Sequence, residues 1–262
     1  MFETIILETD GRGVATLTLN RAEKHNAMSA QMIAELTLAA GQLGADDTVR
    51  VVVLTGAGKT FCAGGDLAWM RDQMAATPAN RFVQARKLAE MLQALNTMPK
   101  PLIGALAGNA FGGGVGLAAV CDVAIGIDSL KMGLTETRLG LIPATIGPYV
   151  VARMGEARAR RVFMSARLFD AAEAVELGLL ARAVAADRLQ DAIEAEISPY
   201  LACAPGAVAS AKALVQNLAS SIDDSVIDHT IQALVSRWET EEAQDGIDAF
   251  FNKRNPKWTN KD

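Results

Sequence analysis

The sequence predicts an α/β protein, and three observations predict it. Short β-rich runs alternate with segments of helical spacing along the first two thirds of the chain. Two of those runs end in glycine clusters that open a helix, and from about Asp187 onward only helical patterns remain. With 262 residues, half of them hydrophobic and 21% charged, the chain can bury one large core and carry an appendage.

The elements follow in order. "ETIILETDGRGVATLTLN" reads as two strands around Asp10-Gly11, because glycine supplies the positive φ of a tight hairpin turn. "SAQMIAELTLAAGQLGAD" has helical spacing, with Ser29 placed to cap its first turn. "VRVVVLTGAG" is a continuous apolar run ending in a glycine turn, the pattern of a buried strand. A helix is expected over about Ala79 to Asn96, a strand at "PLIGALAG", a short helix after the glycines of "AFGGGVGLAAVCD", and a strand at "DVAIGI". The tail segments "DRLQDAIEAEISPYLA", "GAVASAKALVQNLA" and "IDHTIQALVSRWETEEAQDGIDAFFNKR" read as helices whose apolar stripes suit burial within the chain or against another subunit.

Composition excludes several classes. Net charge is -5 and no basic run occurs, which argues against a nucleic-acid partner. The N-terminus lacks the basic start and apolar run of a signal peptide, and no segment is apolar enough for a membrane span, so a soluble, cytoplasmic chain is expected. Cys62, Cys121 and Cys203 are widely spaced and read as reduced, small core residues. Neither His25 nor His229 has metal-ligand spacing, and no G-x-S-x-G nucleophile elbow is present.

In "AFGGGVGLAAVCD", four glycines in five positions demand a close approach to backbone. Gly114, Gly116 and Ala119 fit a G-x-G-x-x-A dinucleotide pattern, but only about nine residues separate Gly113 from the next strand, too few for an ordinary crossover helix. The same backbone can serve a different anion: an amide at a helix start, unpaired within the helix and aided by its dipole, stabilises an oxygen that gains charge during reaction. A second such turn lies at Ala63, Gly64 and Gly65 in "TFCAGGDLAWM".

With both turns in view, the chain resembles the crotonase superfamily of enoyl-CoA hydratases and isomerases. The matching segments span nearly its whole length: "LNRAEKHNAMS", "VVVLTGAGKTFCAGGDL", "KPLIGALAGNAFGGGVGLAAVCDVAIG", "KMGLTETRLGLIPATIGPYV", "LFDAAEAVELGLL" and "GIDAFFNKRNPKW". The resemblance implies a spiral of ββα units over residues 1–190 and a C-terminal helical trimerisation region over 191–262, giving a homotrimer or a dimer of trimers. It implies an acyl-CoA substrate, coenzyme A being part of that substrate rather than a separate cofactor.

By the same resemblance, the amides of Gly65 and Gly113 would form an oxyanion hole for the thioester carbonyl, and Glu136 in "GLTETRLG" would exchange protons with the substrate. Many hydratases of the family carry a first glutamate where this chain has Gly116, so a paired-carboxylate mechanism does not transfer. Glu136 sits between Leu134 and Leu139, where desolvation would raise its pKa; alternatively it pairs with Arg138 at the surface. Coenzyme A is expected along Lys24 to Ala27 and the turn Ala63 to Leu67, with Lys24 and Lys253 near its 3′-phosphate and Phe250 packing nearby. Asp66, within that turn, reads as a helix cap. Trp69 and Met70 are candidates for the acyl pocket or for core packing. The surrounding text is most similar to hydratases of the methylglutaconyl-CoA and isohexenylglutaconyl-CoA type, whose second carboxylate would call for a cation; Arg71 is the candidate. A single glutamate also suits a Δ3,Δ2-enoyl-CoA isomerase, and the absent first glutamate leaves a non-catalytic acyl-CoA-binding protein in play.

Overall fold

The computed structural model describes residues 2–259. Its strands fall into two sheets. The first has six strands in the order β1 (Ile5–Thr9), β2 (Val14–Leu19), β3 (Val51–Gly56), β5 (Leu102–Leu106), β7 (Val123–Ile127) and β10 (Arg182–Val184). Only the β1–β2 hairpin is antiparallel; the remaining pairs are parallel. The second sheet is made of β4 (Thr60–Cys62), β6 (Asn109–Phe111), β8 (Lys131–Gly133) and β9 (Phe169–Asp170). Each central strand of the first sheet is followed by a short strand of the second and then by a helix: β3, β4 and α2 (Leu67–Ala75) with α3 (Pro78–Thr97); β5, β6 and α4 (Gly113–Val120); β7, β8 and α5 (Gly147–Met154). The repeat is therefore ββα, wound as a spiral; α6 (Glu156–Phe163) and α7 (Ala171–Glu176) follow before β10.

Parallel strands bury both faces, and here alternate side chains serve two cores. Val52 and Leu54 of β3 enter the main core, with α1 (Ala30–Ala45), α3 and α4, whereas Val51 and Val53 join Ile103, Ile125 and α8 (Leu189–Leu201) on the opposite face. Ser29 caps α1 as expected, its hydroxyl accepting from the Met32 amide at 3.2 Å. The chain after residue 187 is helical. It comprises α8, α9 (Pro205–Leu218), α10 (Asp224–Trp238) and α11 (Glu241–Phe251).

Two details differ from the sequence reading. The last long helical segment breaks after Trp238, because Thr240 leaves helical geometry and caps a new helix by accepting from the Ala243 amide. Cys203 is exposed just beyond α8, so only Cys62 and Cys121 are core residues. Among the described residues no helix is long and apolar enough to cross a membrane, and no group of three His, Cys, Asp or Glu side chains is arranged to hold a metal ion.

Candidate active site

The short strands of the second sheet deliver the site. β4 ends at the turn Ala63–Gly64–Gly65, β6 ends at Gly112 and starts α4, and β8 ends just before Glu136. Since β4, β6 and β8 run parallel side by side, their C-terminal ends lie together. They border a cavity of about 510 Å³ lined by both glycine turns, Glu136, Leu139, and the segment from Leu141 to Ile146.

The glycines are required by crowding. Gly64 has φ of 93°, and a Cβ there would sit 3.0 Å from the Phe111 carbonyl oxygen and 3.5 Å from the Gly113 nitrogen, which brings the two turns to van der Waals contact. Gly112 has φ of 49°, and its Cβ would meet Glu136 Oε1 at 3.0 Å. The Gly64 carbonyl accepts from the Met28 amide at 2.8 Å, and the Asp66 amide donates to the Met28 carbonyl at 3.0 Å, so Gly65 is held between two anchored neighbours. The amides of Gly65 and Gly113 themselves form no hydrogen bond among the described residues, and both residues line the cavity. Gly113 opens α4, whose far end is held by Arg153: its guanidinium donates to the carbonyls of Ala119, Cys121 and Asp122. A cation there also complements the helix dipole and leaves the positive end facing the cavity.

Glu136 begins a 3-10 turn, Glu136–Leu139. That turn is clamped from behind by the C-terminal helices. Arg237 of α10 donates to the Gly140 carbonyl at 2.7 and 3.0 Å, and Gly246 of α11 is packed so closely that a Cβ would lie 2.6 Å from the Leu139 carbonyl carbon. The carboxylate is the buried end of the side chain: Oε2 is shut off from solvent and has no hydrogen-bond partner. Burial pushes the Glu136 pKa up to about 7, offset slightly by its own backbone N–H. No ion pair joins Glu136 to Arg138 or to any other cation among the described residues, so the surface-pair alternative does not hold.

The position of the absent first glutamate is packed shut. Gly116 lies one turn into α4, and a Cβ on it would stand 2.4 Å from Ile146 Cγ2. Ile146 is 2% exposed and lines the cavity, so an apolar side chain fills what the missing carboxylate would need.

The remaining expectations separate into two groups. Ala63, Leu67, Trp69, Met70 and Phe250 line the cavity, Phe250 arriving from α11 of the same chain. Lys24, Ala27, Asp66 and Lys253 do not. Lys24 is exposed in the 3-10 turn Ala22–Lys24, Ala27 is buried beneath it, and Lys253 is exposed after α11 with φ of 52°. Asp66 caps α2, accepting from the amides of Ala68 and Trp69, and pairs with Arg21 at 2.9 Å. Arg71 also lies off the cavity: its guanidinium stacks over the Phe251 ring, 4.4 Å from the centroid.

Three features escaped the sequence reading. Asn26, wholly buried at φ of 52°, ties the loop together by accepting from the Arg21 amide and donating to the carbonyls of Ala57 and Thr60. Asparagine's tolerance of the left-handed region was the available signal. The other two, Ile146 against Gly116 and Arg138 in the cavity wall, depend on contacts between distant segments or on a side-chain direction that spacing does not give.

A ββα spiral thus brings two free amides and a buried carboxylate to one cavity, and comparison with known proteins shows the family to which it belongs. The family model described as enoyl-CoA hydratase/isomerase matches residues 9–261, so the chain belongs to that family. It is similar to a Mycobacterium bovis protein named probable enoyl-CoA hydratase echA8, 36% identical over 264 residues with 99% of each chain covered. Among solved structures it resembles an enoyl-CoA hydratase from Shewanella pealeana, at a TM-score of 0.81 and 36% identity, covering 98% of this chain and 97% of that one. A putative enoyl-CoA hydratase from Mycobacterium avium paratuberculosis gives a TM-score of 0.87 at 29% identity, with 98% and 100% covered.

Proposed function

We propose that this protein is an enoyl-CoA hydratase that adds water across the 2,3 double bond of an enoyl-CoA thioester with Glu136 as its single acid–base group. The observation that carries the reading is the buried, unpartnered Glu136 carboxylate across one cavity from two unpaired backbone amides. In this reading the Gly65 and Gly113 amides donate to the thioester oxygen and bind it more tightly as it becomes an enolate oxygen than in the neutral ground state. Glu136 takes a proton from water as the water oxygen bonds to C3, then returns a proton to C2 of the enolate, so the net change is H and OH across the double bond. A carboxylate with a pKa of about 7 is suited to both halves, because it is neither too weak a base nor too weak an acid at neutral pH. The chemistry as proposed needs no cofactor or metal beyond the coenzyme A of the substrate.

The acyl group is proposed to be branched or carboxylated, 3-methylglutaconyl-CoA being the test case, on the likeness of the motif text around Glu136. Coenzyme A is proposed to run from the Ala63–Leu67 turn past Lys24, Ala27 and Asp66, with Phe250 and Lys253 beside it. The helices after residue 190 are proposed as the surface where copies of the chain meet as a homotrimer or dimer of trimers. Supporting this, α9 buries none of its residues in the single chain and leaves Leu214, Val215 and Leu218 exposed. Sedimentation of the purified protein checks the assembly: a monomer at micromolar concentration contradicts it.

One observation favours a second reading. With Ile146 filling the space beside Gly116, one carboxylate faces the acyl group, and a single carboxylate suffices to move a proton between C4 and C2 of a 3-enoyl-CoA. The conjugated-thioester absorbance separates the two. Its loss on mixing with a 2-enoyl-CoA supports hydration; its appearance from a 3-enoyl-CoA, with 2-enoyl-CoAs unchanged, supports isomerisation.

A further inference from the structure

Apart from Glu136, Arg138 is the only ionised side chain lining the cavity among the described residues. Among the described residues it forms no ion pair, although most arginines are matched to a carboxylate or to backbone carbonyls. Nor is its charge used by the neighbour two residues away. The raised pKa of Glu136 comes from burial, with no contribution from a cation, so the guanidinium does not neutralise the carboxylate. The 3-10 turn that carries both is fixed at each end: the Arg138 amide donates to the Thr135 carbonyl at 3.2 Å, and Arg237 holds Gly140. Arg138 is exposed and lines an otherwise largely apolar cavity, a planar donor fork with no acceptor of its own among the described residues, open to a carboxylate brought by a ligand.

We propose that Arg138, and not Arg71, is the specificity-determining cation of the site, selecting acyl-CoA thioesters whose acyl chain ends in a second carboxylate. The assignment rests on the acyl-CoA reading above. The acyl end of the substrate is favoured over its phosphates because Arg138 shares a four-residue turn with Glu136, the group placed at the reacting carbons. Lys24 and Lys253, the cations expected at the nucleotide end, lie off the cavity. Arg71 is already committed to the Phe251 ring.

Binding rather than turnover provides the test, so that it stands whether the protein hydrates, isomerises or only binds. Calorimetry would compare glutaryl-CoA with its terminal methyl ester, on the wild type and on Arg138→Gln and Arg138→Lys. A charge-assisted bidentate contact predicts a preference for the acid of about 10–100-fold in the wild type. That preference collapses to within about threefold in Arg138→Gln and returns in part in Arg138→Lys, which keeps the charge and loses the fork. An equal loss of affinity for both thioesters, with the preference intact, would place Arg138 on the coenzyme A phosphates and overturn the proposal. So would a wild type that binds acid and ester alike. Failure of the acyl-CoA reading has a separate signature, namely that neither thioester nor coenzyme A itself binds.

Discussion

Two carboxylates near the cavity, Asp66 and Glu136, show what environment does to the same functional group. Asp66 is 7% exposed, and burial alone would push its pKa up, but hydrogen bonds from Arg21 and from the Ala68 and Trp69 amides overcome this and hold it below the usual range. Glu136 is desolvated with no compensating partner at Oε2, and its pKa rises to about 7. Desolvation acts on both; what differs is whether the fold supplies donors. A satisfied carboxylate is a structural anchor, here holding the start of α2 and the loop at Arg21. An unsatisfied one, its pKa raised towards neutrality, is suited to the proton transfer proposed for it.

That contrast can be broken at either end. The largest effect is expected from Glu136→Gln, which keeps the shape and removes the titration: turnover of a 2-enoyl-CoA should fall by about 10²–10⁴-fold, read by stopped-flow absorbance, while calorimetric acyl-CoA affinity stays within a few-fold. Near-normal turnover would remove Glu136 from its role. Next comes the apolar wall that leaves Glu136 alone. Gly116→Ala places a methyl group against Ile146 and should cost about 1–3 kcal/mol in denaturant unfolding. Ile146→Ala alone should cost about 2–5 kcal/mol, and the double variant should lose less than the sum of the two, since the pair is in contact and couples; strict additivity would contradict the packing. At the other end, Asp66→Ala removes a helix cap and the ion-pair partner of Arg21, which keeps its hydrogen bond to the Ala27 carbonyl, for a loss of about 1–2 kcal/mol with the pH dependence of turnover unmoved.

The smallest effect concerns stability against pH, and the two carboxylates should move it in opposite directions. Asp66 has a folded pKa below its ordinary 3.8, so its contribution is present above that value and lost as pH falls through the folded pKa. Glu136 has a folded pKa above its ordinary 4.5. Its contribution is present below about 4.5 and is lost as pH rises towards about 7, leaving a buried charge that opposes folding above it. Glu136→Gln should therefore raise the Tm at pH 8 by a few degrees, on the order of 2–4 °C per kcal/mol recovered, and change it little at pH 4.5. A lower Tm at pH 8 would mean that Glu136 is partnered in solution.

Five strands of the first sheet were legible in the sequence because they are five or six residues long, with β3, β5 and β7 apolar on both faces and β1 and β2 set off by the Asp10-Gly11 turn, as was α1 with its Ser29 cap; β10, three residues long, was not. The second sheet was not, since strands of two or three residues such as Thr60–Cys62 and Phe169–Asp170 are too short to show a period. Yet that sheet is what brings Gly65, Gly113 and Glu136 together. These residues could be named from the motif text, while their convergence depends on parallel pairings between segments dozens of residues apart. Arg71 and Arg138 make the same point for side chains: both follow motif glycines or the glutamate closely, and only packing shows that one stacks on Phe251 while the other borders the cavity.

The account turns on one desolvated carboxylate, and the pH profile of kcat/KM for a 2-enoyl-CoA tests it most directly, because that quantity reports the ionisation of the free enzyme's essential base. The rate should climb with pH through a single inflection near 7, and that inflection should be absent from the residual activity of Glu136→Gln. An inflection in the ordinary carboxylate range near 4.5, or a profile near 7 that Glu136→Gln leaves in place, would contradict it.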